Sequence, residues 1–508
     1  MPPKGPGDTV SIPAPTGGWN TRDPLDGMAP EDATLLDNWF PETGTVRMRD
    51  GSIAFCDTGE TDPVQTLFSY SGGGTTEMLA AAGGSIFDVT SGTAGPALGT
   101  GYTSDVWSWT NHASGGGTRL LAANASGLDD CWVYDGVTIT PIVLVGIAEE
   151  AVSQVMLYAS RVFYVEGGTL SVWYTTAGAF QGAVTEFDFG TFCRKGGEIA
   201  SIGSWTRDSG DGSADDLFVV VTSEGEVLLY SGDDPANNWV LQGVFAVGKP
   251  VSGFRCLLKT GPDMVLICDD GVQPLSEYLL LGTTRASSTK LGAKISNAAQ
   301  DAVSQYGTLP GWQGVLYPDQ SMMIINVPQS ASLFWQFVAN TTTGAWCRFK
   351  GMNAFCWGTL GRDLYFGGAD GTVYQALTGV GDSGSDVVAE YVGSYQYVGG
   401  RGANKRFVMC RPVLQTNGRL TYSLGVNVDY ADTSVLPTVN SNIPIGALWG
   451  SGIWGTSLWG SSTMTLQRNW AGVSGIGYSV AVHMLVSTQT ISVRMNSFDL
   501  MYEPGWSI

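Results

Sequence analysis

The two histidines of the chain are the residues through which acid–base or nucleophilic chemistry would most readily run. His112 lies in the polar segment TNHAS, and His483 lies in the middle of an alternating strand pattern. A serine or cysteine nucleophile needs a histidine beside it, and neither histidine stands in a recognisable motif. No GxSxG sequence accompanies them. We therefore predict no nucleophilic active site, and we expect a protein that is not an enzyme.

Adjacent carboxylates are a second candidate for chemistry, because a glycosidase works with two of them. Each pair in this chain lies at the end of a strand pattern or in a turn, where aspartate commonly accepts hydrogen bonds from nearby backbone. We therefore interpret the pairs as turn residues. The pairs are Asp129-Asp130, Asp215-Asp216, Asp233-Asp234 and Asp269-Asp270.

Two polar loops invite a ligand-binding interpretation. Residues 231–239 (SGDDPANNW) loosely resemble the Asp-box of sialidase propellers, although they lack its glycine, place the tryptophan one position late and occur once. Residues 208–216 (DSGDGSADD) offer oxygen atoms suited to calcium. Their spacing is not that of an EF-hand, and we interpret them as a solvated loop rather than a calcium site.

The eight cysteines form no CxxC motif, and with only two histidines they predict neither a zinc nor a haem site. Several lie inside apolar runs such as LIC at 266–268, where cysteine acts as a small buried hydrophobe. We expect no metal and no cofactor.

Composition indicates an all-β protein. Glycine accounts for 70 of the 508 residues, and charged residues for only 14%. Many glycines with β-branched and aromatic residues are typical of short strands joined by tight turns, whereas helices would need more charged residues on their outer faces.

The net charge of −21 argues against a protein that holds nucleic acid, because such proteins carry clustered lysine and arginine. It does not exclude nucleic acid that passes by without binding. No stretch approaches 18 apolar residues, and the first residues lack the apolar core of a signal peptide. We therefore expect no membrane span and folding in a reducing cytoplasm.

From about residue 60 onward, apolar runs alternate with short turns that contain Gly or Asp. The clearest case is LFVVV at 217–221, a turn at 223–225 and VLLY at 227–230. Such hairpins recur at intervals of roughly 40 to 58 residues, which overlaps the period of a four-stranded propeller blade. Seven instances predict a β-propeller of six to eight blades, and a β-sandwich of the same hairpins is the alternative.

One window has helical periodicity. Residues 288–306 place Leu291, Ile295, Ala302 and Tyr306 on one face, and we predict an inserted helix there. Ser288 or Thr289 would cap its beginning and Gly307 would end it. The helix could pack on the propeller or contact another subunit.

The pattern divides the chain into three parts. Residues 1–60 read as an extended docking arm, residues 61–380 as the propeller, and residues 381–508 as an antiparallel β-sandwich-like domain. The aromatic residues of the arm could dock on the same chain or on a neighbour; they are Trp19, Trp39 and Phe40.

The third part carries two candidate interfaces. The loop 447–462 repeats an aliphatic-Trp-Gly step every five residues, and three exposed tryptophans would need covering by a neighbouring subunit or by the chain itself. A basic cluster could contact nucleic acid or an acidic surface of another copy. The tryptophans are Trp449, Trp454 and Trp459, and the basic residues are Arg401, Lys405, Arg406 and Arg411.

Several packing and turn motifs, in order over most of the chain, resemble a family of phage proteins. They occur at 16–25 (TGGWNTRDPL), 36–41 (LDNWFP), 311–313 (GWQ), 316–318 (LYP), 340–349 (NTTTGAWCRF) and 364–368 (LYFGG), with Arg406-Phe407 and Arg411-Pro412. The family is that of the tail nozzle proteins of short-tailed bacteriophages, also called tail tubular or packaged-DNA-stabilisation proteins.

The resemblance implies a structural virion protein of the phage tail, assembled in the host cytoplasm. It further implies a homo-oligomer, a hexameric ring below the portal and adaptor, with tail fibres or tailspikes as further partners. DNA would leave through the central channel without sequence-specific binding. The alternatives are a carbohydrate- or receptor-binding adhesin of the tail, and a head–tail closure or fibre component.

Overall fold

The computed structural model describes residues 7–208, 214–261, 263–279, 291–432, 436–440 and 464–505. These residues divide into two compact units. The sandwich unit comprises Met1–Ile53, Gln336–Met352 and Leu377–Ile508, and the propeller unit comprises Ala54–Trp335 and Asn353–Ala376. Among the described helices, none is long and apolar enough to cross a membrane.

Six strands precede the repeated part of the chain. They are β1 (Asp8–Pro13), β2 (Gly18–Trp19), β3 (Asp32–Asp37), β4 (Trp39–Glu42), β5 (Thr45–Met48) and β6 (Ser52–Asp57).

The strands that follow form the first four blades of a propeller, with β15 and β19 as a small extra pair. They are β7 (Thr66–Gly72), β8 (Thr75–Ala82), β9 (Ser85–Asp88), β10 (Gly99–Thr100), β11 (Trp107–Ser114), β12 (Gly117–Asn124), β13 (Trp132–Tyr134), β14 (Ile139–Pro141), β15 (Leu144–Val145), β16 (Val152–Tyr158), β17 (Arg161–Glu166), β18 (Ser171–Tyr174), β19 (Gly182–Ala183), β20 (Thr185–Asp188), β21 (Ile199–Asp208), β22 (Ala214–Thr222), β23 (Glu226–Ser231) and β24 (Val240–Ala246).

The next elements lie between residues 257 and 376 and include both α-helices of the described residues. They are β25 (Leu257–Thr260), β26 (Asp263–Cys268), β27 (Gly271–Pro274), α1 (Leu275–Leu279), α2 (Ser296–Tyr306), β28 (Gln313–Tyr317), β29 (Met322–Pro328), β30 (Phe334–Asn340), β31 (Trp346–Phe349), β32 (Cys356–Leu360), β33 (Asp363–Gly367) and β34 (Thr372–Ala376).

The last strands belong to the sandwich unit. They are β35 (Val387–Gly393), β36 (Lys405–Thr416), β37 (Thr421–Val428), β38 (Thr438–Asn440), β39 (Thr465–Gln467), β40 (Ala471–Gly477), β41 (Val480–Thr488) and β42 (Val493–Pro504).

The predicted all-β propeller is confirmed, and it has a six-blade arrangement. The blades are the sheets β7–β10, β11–β14, β16-β17-β18-β20, β21–β24, β25–β27 and β32-β33-β34-β6. The hairpin β28–β29 lies between the last two blades, where β28 contacts both β25 and β32. The innermost strands of consecutive blades thus contact one another in a closed ring.

The blades form because their central strands are apolar on both faces. In β22, Val219, Val220 and Val221 have no exposed surface, since both faces pack within the propeller. The turn to β23 places Gly225 at a φ of +78°, a conformation that a side chain disfavours. Apolar runs and turn chemistry together therefore specify the hairpin.

The sandwich unit contains an antiparallel layer and a mixed layer in which β3 pairs parallel with β31. One has the order β39-β36-β42-β5-β4, with β1 on β42 and β40 on β36, and the other includes β31-β3-β35-β41-β37-β38. Tyr391 and Phe498 stack between the layers with ring centroids 5.3 Å apart.

The segment expected to be an extended arm forms strands β1 to β6 instead. The register of β1 runs from Asp8 opposite Tyr502 to Pro13 opposite Ser497, so the beginning of the chain completes a sheet made by its end. Strand β3 likewise pairs with β35. Strand pairing within the sandwich unit thus satisfies backbone groups of β1 and β3.

The predicted helix begins later than expected. Helix α2 starts at Ser296 and ends at Tyr306, with Gly307 as its C-cap. Gly292 adopts a left-handed conformation with φ of 76°, which stops helical geometry from extending through it. Residues Ser288 and Thr289 lie outside the described part of the chain. Ile295, Ala302 and Val303 are buried, as the periodicity predicts.

Candidate functional site

The aromatic residues predicted to form an interface lie in the interior of the sandwich unit. Trp39 is fully buried, and Phe40 and Trp19 are 2% and 5% exposed. Strand β4 brings Phe40 to Phe349 of β31, with ring centroids 6.4 Å apart. These residues therefore anchor the first segment to its own unit.

Trp19 contacts a backbone carbonyl group, an aromatic ring and an arginine that belongs to an ion pair. Its indole N–H donates to the carbonyl oxygen of Thr34, and its ring meets Phe337 edge to face at 5.4 Å. The guanidinium carbon of Arg348 lies 5.2 Å from the centroid of the same ring. Arg348 also donates two hydrogen bonds, of 2.7 and 2.8 Å, to the carboxylate of Asp37.

Further polar contacts in the same unit join the segment around β4 to strands β30 and β35. Asn38 accepts a 2.8 Å hydrogen bond from Nε of Arg49 and donates to the carbonyl oxygen of Val388. Asn340 donates to the carbonyl oxygen of Pro41. Residues roughly 300 positions apart in sequence thus share one buried region.

The predicted basic cluster does not act as one group. Arg401 is exposed and lies over the ring of Tyr397 at 4.3 Å. Lys405 is buried and donates to the carbonyl oxygens of Gly400 and Tyr478; burial lowers the pKa of its ammonium group. Arg406 is exposed, with a nitrogen 3.8 Å from a Glu503 oxygen.

The fourth basic residue, Arg411, pairs with Asp499 and lies over the ring of Trp470 at 4.8 Å. The three candidate tryptophans of the loop 447–462, Trp449, Trp454 and Trp459, lie outside the described residues. Only Arg401 and Arg406 of the predicted interface therefore lie exposed in the described structure.

Both histidines are placed within strands. His112 of β11 is buried beside Phe180, with ring centroids 6.0 Å apart, and burial lowers its pKa, with a smaller contribution from Arg119. Nε2 of His483 lies 2.9 Å from the carboxylate of Glu390, and this hydrogen bond lowers the pKa of Glu390.

One aspartate from each of two carboxylate pairs accepts hydrogen bonds from nearby turns or loops, as the position of the pairs in the sequence predicts. Asp129 accepts hydrogen bonds from the backbone N–H of Thr103 and from Asn124. Asp234 accepts from Asn237 and from the N–H of Ala236. Each carboxylate holds a loop at the rim of a blade.

The segment that loosely resembles an Asp-box ends in a tryptophan that covers a blade. Trp239 donates from its indole N–H to the carbonyl oxygen of Gly232. Its ring stacks on Phe163 at 5.4 Å and contacts Tyr230 at 5.1 Å. This tryptophan is therefore part of the apolar packing between the third and fourth blades. The polar loop 208–216, whose sequence we interpret as a solvated loop rather than a calcium site, lies largely outside the described residues.

The cysteines are free thiols, and all of them except the half-buried Cys193 are buried. Burial raises the pKa of the Cys356 thiol to about 11, and raises that of Cys193 to about 11 as well. A raised pKa keeps a thiol protonated and poorly nucleophilic at neutral pH.

Three cavities of the propeller unit share lining residues. Their volumes are about 700, 400 and 370 Å³, and Phe254 lines all three. Arg255 lines the two smaller ones, one of which is mostly apolar. Phe254 therefore lies at the boundary of all three cavities, and Arg255 at the boundary of the two smaller ones.

Arg255 joins three blades at this point. Its guanidinium donates to the carbonyl oxygen of Gln65 at 3.1 Å and to the hydroxyl of Thr66 at 2.9 Å, and lies 3.5 Å from the carbonyl oxygen of Trp107. Burial lowers the pKa of the guanidinium. Arg255 could not be recognised from the sequence, because one arginine before the apolar run of β25 has no distinguishing pattern.

Comparison with known proteins yields structural likeness only. No family model matches the chain, and no curated protein matches it. The crystal structure of the computationally designed protein Ika8 covers 68% of this chain and 96% of its own, with 13% identity and a TM-score of 0.37. BBS1N, crystallised with ARL6DN and soaked with lead, covers 65% and 97%, with 13% identity and a TM-score of 0.39.

Proposed function

We propose that the chain is a structural subunit of a bacteriophage tail, of the nozzle type, and that its copies form a ring around a DNA channel. The proposal rests on the resemblance of its motifs to the tail nozzle family. It is supported by one structural observation, the way in which three of the motif regions come together.

That observation is the buried network of the sandwich unit. The motif at 36–41 provides Asp37, and the motif at 340–349 provides Arg348, which donates two hydrogen bonds to it. The motif at 16–25 provides Trp19, whose ring lies beside the same arginine. Motifs that are distant in sequence therefore meet in one place, as packing motifs of a common fold would.

The charge suits this function. A ring of copies that each carry a net charge of −21 would surround passing DNA with negative charge. Such a wall repels phosphate, whereas a basic wall would retain DNA through counterion release. We assign to the assembled ring the function of enclosing DNA in a channel without binding it.

The solution mass of the purified chain tests the proposal. Native mass spectrometry at increasing concentration should reveal a species of six copies of the 53.6 kDa chain. A chain that stays monomeric at every concentration and binds glycans would instead indicate the adhesin function.

A further inference from the structure

One of the three cavities of the propeller unit differs from the other two in its walls. The cavity of about 370 Å³ is lined mostly by apolar groups, and four of its lining residues are aromatic. They are Phe254, Trp312, Phe334 and Phe355. Among the described lining residues, Arg255 alone carries a charge. The walls of this cavity therefore suit an apolar ligand better than an ion.

The cavity reaches into the interior of the propeller unit. Trp312 and Phe334 both line it, although they are only 3% and 2% exposed. The rings of Phe334 and Phe355 lie against each other, with centroids 4.8 Å apart and planes tilted by 59°. A small molecule can enter to the depth of these rings, whereas a flat protein surface cannot.

Hydrogen bonds behind the walls fix the shape of the cavity. The buried side-chain amide of Asn326 donates to the carbonyl oxygens of Gly311 and Ala354, each at 2.8 Å. The indole N–H of Trp312 donates to the carbonyl oxygen of Tyr306 at 3.0 Å. Because these bonds hold the backbone and the indole of the walls in place, a ligand enters a preformed site and little has to be reordered on binding.

Such a cavity is a poor place for water. A buried water needs about two to four polar partners, and most of this lining offers none. The guanidinium of Arg255 already donates to the carbonyl oxygen of Gln65 and to the hydroxyl of Thr66. Replacing weakly held water by an apolar group therefore favours ligand binding.

We propose that this cavity, walled by Phe254, Trp312, Phe334 and Phe355, binds a small uncharged aromatic molecule of one or two fused rings. Aromatic rings attract one another in edge-to-face and offset-stacked arrangements, so walls of this kind favour an aromatic ligand over a saturated one. The volume of about 370 Å³ lies within the usual range for small-molecule sites. The inference is independent of whether the chain forms a tail ring.

Calorimetric titration of the full chain with 2-naphthol tests the site. We expect saturable binding of about one molecule per chain, since such sites are few in a protein. Decahydro-2-naphthol has the same carbon skeleton without an aromatic ring, and it should bind about fivefold more weakly. Phe355→Leu keeps an apolar side chain but removes one ring, so it should weaken the binding of 2-naphthol about fivefold and reduce the preference over the saturated alcohol.

Two further variants make the result specific. Ala331→Trp adds a bulky ring at an exposed lining position, so it should weaken binding without disturbing the core, and it decides the outcome if the Phe355 variant fails to fold. Leu333→Ala removes an apolar side chain from the same turn that is 44% exposed and does not line the cavity, and it should leave binding unchanged. No saturable binding of 2-naphthol, equal affinity for the saturated alcohol, or equal weakening by the Leu333 variant would each overturn the proposal.

Discussion

At the scale of single residues, buried charge is the feature with the clearest consequences. Asp37 is 3% exposed at its side chain and pairs with both Arg348 and Lys350. A buried ion pair adds little net stability when complete, but removal of one member leaves the other charge without compensation.

The Asp37→Ala substitution should therefore destabilise the sandwich unit by about 3–5 kcal/mol. Urea unfolding followed by tryptophan fluorescence measures this, because Trp19 lies beside Arg348. Arg362→Ala is the matched control: it removes a two-point contact with Asp319 whose arginine is 84% exposed. Equal effects of the two substitutions would contradict the proposed importance of the buried network.

His112 makes the stability of the propeller unit dependent on pH. Burial lowers its pKa from the ordinary value of 6.5, so the unfolded chain binds a proton more readily than the folded chain. Its contribution to stability is present above pH 6.5 and is lost as the pH falls through the lowered value.

The His112→Phe variant keeps the aromatic contact with Phe180 and cannot take up a proton. Thermal unfolding between pH 8 and pH 5 should therefore show a smaller loss of stability for the variant than for the original chain. An identical pH dependence of the two proteins would indicate that His112 is already protonated, or solvated, in the folded state.

At the scale of elements, closure of the propeller depends on close approach between the last blade and the segment before the first. The N–H of Val64 donates to the carbonyl oxygen of Gly368 at 3.0 Å. A Cβ atom at Gly367 would overlap the carbonyl oxygen of Val64 and lie 2.9 Å from Sγ of Cys356. Glycine is therefore required at the joint between β33 and β7.

Gly367→Ala should lower the stability of the propeller unit by about 1–3 kcal/mol, the usual effect of overpacking. Gly115→Ala is its control, because a Cβ there meets no atom within 4 Å and the backbone needs no left-handed conformation. Thermal unfolding of both variants measures the difference. A Gly367 variant as stable as the Gly115 variant would show that the joint can widen.

The hairpins were predictable from sequence because their information is local. Runs such as LFVVV at 217–221 and the turn glycine Gly225 specify β22 and β23 without reference to the rest of the chain. The pairing of β1 with β42 was not predictable, since nearly 500 residues separate the two strands. For this reason the sequence predicts a docking arm for the first segment, whereas its aromatic residues are in fact part of the core of the sandwich unit.

Sites made by convergence are equally hidden. Arg255 precedes the ordinary apolar strand β25, and the atoms to which it donates hydrogen bonds belong to other blades. The sequence identifies the turn role of Asp129 and Asp234, because the atoms that bond an aspartate in a turn are its neighbours or lie in the adjoining loop.

At the scale of the whole molecule, the net charge of −21 governs contact with DNA. We expect the chain not to retard duplex DNA in a gel-shift assay at about 0.15 M salt, where screening still leaves a repulsion over about 8 Å. A basic DNA-binding protein serves as the positive control. Tight, salt-sensitive retention of DNA would contradict the proposal that the wall of the channel does not bind DNA.

The central claim is that copies of this chain form a ring wide enough for duplex DNA. Electron microscopy of the purified full chain, with two-dimensional class averages of the particles, tests it most directly. The proposal predicts six-fold rings with an open centre at least as wide as a DNA duplex. Class averages that contain only single propellers, or closed assemblies without a central opening, would contradict it.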